Sequence, residues 1–132
     1  MKKYIFFLLV FYNSVNAQNN IFLEPDKETN CEIMKNGKFG STNYDPKEYY
    51  MIVKNGIQTE YVSDGKYYVK SKMEFINPCE YKTTILEITI PDYDKKIGEF
   101  LTTEIIATQC EYVKVKSKMY GKDYEFVLVK MD

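Results

Sequence analysis

Histidine, tryptophan and arginine are all missing from this 132-residue chain, and every one of its 18 positive charges is a lysine. Without histidine, the usual general base near neutrality and the commonest metal ligand are both gone. Without arginine there is no bidentate grip on a carboxylate or phosphate. Long hydrophobic runs are missing too: the longest, residues 4–12 (YIFFLLVFY), falls far short of the roughly 20 residues a spanning helix needs. No window of ten or more residues has the periodicity of an amphipathic helix, which argues against α/β classes. Enzymatic chemistry through Asp, Glu, Lys, Tyr or Cys remains conceivable, but no catalytic constellation stands out. The expectation is therefore a protein that is not an enzyme and needs no cofactor or metal.

The same apolar run has an informative setting. Lys2 and Lys3 precede it, and Val15-Asn16-Ala17 follows with small residues where a signal peptidase reads them. Residues 1–17 are thus expected to be a cleaved signal peptide, exporting the protein to a periplasmic or extracellular space. The remaining 115 residues, from Gln18, suffice for one small domain, and loss of Lys2 and Lys3 brings the net charge to −3. A mildly acidic protein has no general attraction to nucleic acid or anionic lipid, and no stable membrane insertion is expected after cleavage.

Residues 18–30 are polar around a small cluster, Ile21-Phe22-Leu23, and read as a flexible leader. Residues 31–132 then form the single domain. Period-two patterns run through it, broken by turn dipeptides. Asn55-Gly56 is the preferred two-residue hairpin loop, and Asp64-Gly65, Asn77-Pro78 and Gly121-Lys122 mark further turns. The strands expected between them cover 49–54, 57–63, 66–76, 79–90, 99–108, 112–120 and 124–131. A short first strand lies around Lys38-Phe39. Residues 92–98 form a longer connection with room for one helical turn. Eight sequential antiparallel strands with no helix to cover a sheet face are best served by closing on themselves. The fold class expected is all-β, an up-and-down meander forming a small barrel, with an open or two-sheet sandwich as the competitor.

Two strands alternate cleanly enough to assign faces. Tyr67, Val69, Ser71, Met73 and Phe75 alternate with Tyr68, Lys70, Lys72 and Glu74; Val113, Val115, Ser117 and Met119 alternate with Lys114, Lys116 and Lys118. The lysine rows face water, so the other rows face inward. Those nine inward residues are the candidate lining of a ligand site, with Ser71 and Ser117 as its polar points. A core hydroxyl bonded to backbone is the simpler explanation of each serine. In 79–90, either Tyr81, Thr83, Ile85 and Glu87 point inward, or Thr84, Leu86, Ile88 and Ile90 do. The second set buries more apolar surface and no carboxylate, whereas an inward Glu87 would be a candidate ligand partner, and the sequence leaves both facings open. The Lys114, Lys116 and Lys118 row with Tyr112 and Tyr120 resembles a stacking platform for nucleic acid. A solvated outer face explains it better, and no nucleic-acid partner is expected.

Export makes disulfides favourable, yet there are three cysteines. In an up-and-down meander Cys31, Cys79 and Cys110 all fall at one end. The expected pair is Cys31–Cys79, stapling the leader across that end and leaving Cys110 as a spare thiol. Cys79–Cys110, on neighbouring strands, is the rival.

Gly37-Lys38-Phe39, after a cysteine-containing turn and opening an eight-strand meander, resembles the Gly-x-Trp start of lipocalins and other calycins, with Phe39 in the tryptophan's place. The segments CEIMKNGKF and NPCEY also resemble short secreted proteins of unassigned function. The lipocalin resemblance implies a barrel that holds a small hydrophobic or amphipathic ligand without catalysis. The alternative is a structural or protein-interaction module of the cell envelope with a solid barrel core. There, Tyr49, Tyr50, Tyr68 and Tyr112 would be exposed contacts.

Overall fold

The structure is a computed structural model and describes residues 22–131. The expected signal peptide and the first residues of the leader lie outside the described residues. A single 3-10 turn, Cys31–Lys35, precedes eight strands: β1 Gly37–Ser41, β2 Tyr49–Lys54, β3 Ile57–Val62, β4 Tyr67–Asn77, β5 Glu80–Ile88, β6 Phe100–Gln109, β7 Tyr112–Met119 and β8 Lys122–Lys130. Each strand pairs antiparallel with the next, and β1 pairs with β8 to close the barrel. The meander expected from the turn spacing is therefore present, and it closes.

The turns explain the strand boundaries. Asn55 and Gly56 both adopt positive φ, at 53° and 76°, as a type I′ loop requires. At the β7–β8 hairpin the loop is Tyr120-Gly121, one residue earlier than expected. Glycine takes the second loop position there, at φ 77°, so Lys122 opens β8. Asn77 caps its own turn through Oδ1, which accepts from the Cys79 backbone N–H at 3.0 Å. The long β5–β6 connection contains turns and bends only, and no helical turn forms.

Strand β5 combines the two facings left open for it. Tyr81 and Thr83 are buried, whereas Leu86 is exposed and Thr84 only half-buried. The register explains why neither expected set is right throughout. Tyr81, Thr83 and Ile85 pair with the inward Phe75, Met73 and Ser71, but Ile88 then pairs with Val69, so β5 carries one extra residue, Leu86. This β-bulge flips the alternation. Ile88 faces inward above it, as Tyr81, Thr83 and Ile85 do below. Glu87 pairs with the outward Lys70 and accepts a 2.6 Å hydrogen bond from the Tyr68 hydroxyl.

The two ends of the barrel differ. At the end where β1 begins, the 3-10 turn is tied to the β4–β5 turn by a Cys31–Cys79 disulfide with a Cα–Cα distance of 5.2 Å. Met34 on this turn is fully buried and joins Phe39 of β1 in one core. Residues leading into the turn run along the end of β6. The backbone N–H groups of Asp26 and Asn30 donate to Thr108, to its carbonyl at 2.8 Å and its hydroxyl at 2.9 Å. Cys110 lies in the neighbouring β6–β7 turn, where it is free and exposed. The opposite end is crossed by the β5–β6 connection.

The disulfide closes a loop of 48 residues. For a loop of that length, loss of the cross-link is expected to lower stability by about 4 kcal/mol. Urea unfolding of the Cys31→Ala/Cys79→Ala variant measures this. Non-reducing peptide mapping should recover the 31–79 pair with Cys110 open to alkylation; a 79–110 pair would contradict the structure.

Candidate ligand cavity

The inner face of the barrel is set strand by strand. On β2, Tyr49, Met51 and Val53 are buried while Ile52 and Lys54 are exposed. The type I′ loop then fixes how β3 lies beside it: Val53 pairs with Gln58, Met51 with Glu60, and Tyr49 with Val62. Directly opposed residues share a face. Gln58 and Glu60 are therefore obliged to point into the barrel.

All nine residues expected to face inward do so. Val69, Met73, Ser71, Val113, Val115, Ser117 and Met119 are buried, and Tyr67 and Phe75 are half-buried. They divide by height. Met73, Val113 and Val115 belong with Met34 and Phe39 to the packed core towards the stapled end. Val69, Ser71, Ser117 and Met119 line a cavity of about 330 Å³ in the other half. Tyr49, placed beforehand among exposed contacts, is instead only 2% exposed and lines the same cavity. Its partner across the hairpin, Val62, lies on the inner face, which leaves Tyr49 no route outward.

Polar groups are spaced around this cavity. Thr103 and Ser117 share a 2.8 Å hydrogen bond, and Thr103 also bonds the Tyr81 phenol. The Tyr49 hydroxyl donates to Glu60 Oε2 at 2.6 Å. At the open end stand Tyr93 and Lys95 of the β5–β6 connection, with Glu99, Phe100, Lys118 and Tyr120. Lys95 is 8% exposed, pairs with Asp94 at 3.4 Å, and lies 5.0 Å from the Tyr120 ring centre.

Glu60 is the electrostatic centre of the site. Burial pushes its carboxyl up from 4.5 to about 7, against the opposing pull of the Tyr49 hydrogen bond. Burial likewise raises the phenols of Tyr49, Tyr81 and Tyr93, and the charge of Glu60 raises each further. All three tyrosines are thus neutral hydrogen-bonding groups at physiological pH. No group of three His, Cys, Asp or Glu able to hold a metal occurs among the described residues. The arrangement offers one carboxyl that titrates near neutrality, a phenol bonded to it, and apolar walls.

Tyr81 belongs to one of the two facings the sequence leaves open for 79–90, whereas Glu60 was not anticipated, although a signal for it was present. Asn55-Gly56 fixes the hairpin register, and the buried face of β2 then dictates that of β3. Tyr93 and Lys95 had no such signal, because no periodicity governs an irregular connection. No known protein family, curated protein or solved structure matches this chain.

The Glu60 shift has a consequence for stability. Between 4.5 and about 7 the unfolded chain has released this proton while the folded protein retains it, so stability falls as pH rises across that window. The accumulated penalty is about 3 kcal/mol. Glu60→Gln keeps an oxygen for Tyr49 and removes the charge. It is expected to match the parent near about pH 4 and to exceed it by roughly that amount near about pH 8 in urea unfolding. Parallel pH profiles for the two proteins would contradict the buried carboxyl.

Proposed function

We propose that this is an exported, lipocalin-like binding protein that holds a small apolar or amphipathic ligand inside its barrel and catalyses no reaction. The observation that carries this reading is the cavity. A solid structural barrel would be filled along its whole length, whereas here about 330 Å³ between the walls is left unfilled. That volume is at the lower end of the ~300–1,000 Å³ typical of small-molecule sites. Val69, Met119, Phe126 and Leu128 supply apolar wall, and a few hydroxyls supply orientation. Around the mouth, Phe100 and Tyr120 are exposed at 61% and 72%, an apolar rim suited to ligand entry.

Supporting a non-catalytic role, Glu60 has a phenol beside it but no histidine in the chain to work with. Export is supported by the basic and apolar start of the sequence and by a disulfide, which persists in oxidising compartments. The outer lysine row of β7 lies opposite carboxylates, with Lys116 beside Glu104 and Glu125 and Lys118 beside Asp123, which disfavours a nucleic-acid partner. No helix among the described residues is long and apolar enough to cross a membrane.

The interaction-module alternative keeps one supporting observation. Tyr50, Tyr61 and Tyr68 are paired across β2, β3 and β4 on the outer face, with the first two rings stacked at 4.8 Å. Such a row stabilises the sheet by itself, so the cavity is the stronger guide.

The chain has no tryptophan, which makes a direct test convenient. A hydrophobic naphthylamine dye is expected to bind the parent saturably. Val69→Trp, which places an indole in the cavity, is expected to weaken binding about tenfold or more, with blue-shifted indole emission and unchanged circular dichroism. Undiminished dye binding by this folded variant would place the dye elsewhere and refute the cavity as the site.

A further inference from the structure

The charges around the cavity are unevenly placed, and their placement selects a ligand. Lys95 is the most buried cation at the site, and it already has Asp94 at 3.4 Å. Lys118 and Glu99 stand at the mouth beside solvent. Glu60, in contrast, lies among neutral groups: Met51 and Val69 are its neighbours across β2 and β4, and among the described residues its hydrogen-bond donor is Tyr49, at Oε2. The titratable groups facing it are three phenols, Tyr49 from β2, Tyr81 from β5 and Tyr93 from the β5–β6 connection, all held neutral. Oε1 is left to the cavity.

We propose that the cavity takes an amphipathic amine, with the ligand's ammonium on Glu60 among Tyr49, Tyr81 and Tyr93 and its apolar body against Val69, Phe126 and Leu128. This rests on the reading of the barrel as a small-molecule binding site. A protonated amine supplies the counter-charge that the carboxyl lacks. It also supplies donors for Oε1 and for the phenol oxygens, and electron-rich aromatic rings attract it further. A carboxylate ligand meets the opposite conditions, since it would need to displace Asp94 from Lys95 or lie against Glu60. An alcohol satisfies the hydrogen bonds but not the charge.

The buried carboxyl makes the affinity depend on pH. Glu60 titrates at about 7 in the empty protein and must be ionised to pair with an ammonium. An alkylammonium remains protonated through this range, so binding strengthens as pH rises through neutrality, and Glu60 releases a proton when binding occurs below it. If only the ionised form binds, affinity near about pH 5 is lower than near about pH 8 by almost 100-fold.

Isothermal titration of the disulfide-intact protein with octylamine, octanol and octanoate tests this at both pH values. The expected result is octylamine binding about tenfold or more tighter than octanol near about pH 8, with that preference shrinking near about pH 5. Heats measured in two buffers of different ionisation enthalpy should show proton release between these limits. Glu60→Gln, its fold checked by circular dichroism, should lose both the amine preference over octanol and the pH dependence of that preference. If octanol or octanoate binds as well as octylamine, or if the preference survives in Glu60→Gln, the amine inference is overturned while the binding site stands. If none of the three binds the parent, the binding-site reading itself fails.

Discussion

Closure of the sheet is the constraint on which the rest of this molecule depends. Phe39, Gly40 and Ser41 of β1 pair with Lys130, Val129 and Leu128 of β8, joining the first strand to the last. The seam leaves no free sheet edge, and it converts one face of a meander into an enclosed interior. Gly40 permits a close approach there, since a Cβ at that position would lie 3.0 Å from the Met131 sulfur. An enclosed interior limits how much water reaches a carboxyl within it, so the behaviour of Glu60 follows from a seam formed elsewhere in the barrel.

The interior divides into two parts with different tasks. Near the stapled end, Met34, Phe39, Met73, Val113 and Val115 make a dry core. The Cys31–Cys79 bond holds the 3-10 turn over it, limiting the freedom of the unfolded chain more than any single side chain does. Towards the other end the walls carry Glu60, Ser71, Thr103 and Ser117, and the space between them is not filled. A barrel optimised for stability alone would replace Glu60 by an apolar residue, because the carboxyl loses hydration without gaining a cation. Strain of this kind concentrates at functional sites, and the cavity beside Glu60 gives it a use.

Most of the architecture was legible because it rests on local chemistry. Asn55-Gly56 specifies its hairpin through positive φ, and the alternation in β4 and β7 separates lysine from core without reference to neighbours. The meander gathers the three cysteines at one end, which allowed the Cys31–Cys79 bond without excluding Cys79–Cys110. What escaped depends on relations between strands. The bulge at Leu86 is a register event between β4 and β5, and no residue of β5 announces it. The inward turn of Glu60 needed the face of β2 to be carried across a hairpin. The placement of Tyr93 and Lys95 over the mouth depends on the path of an irregular connection. The barrel was legible from the strand count and the turns, while the acidic, tyrosine-lined character of its cavity came from registers.

The claim at the centre of this account is that Glu60 sits inside the barrel, with its carboxyl uncompensated by any cation among the described residues. The most direct measurement is a pH titration of the Glu60 side-chain carboxyl carbon by nuclear magnetic resonance in the ligand-free protein. A midpoint of about 7 is the predicted result. A midpoint near the ordinary 4.5 would mean that water or a cation reaches Glu60 freely, and the account of the cavity would be wrong.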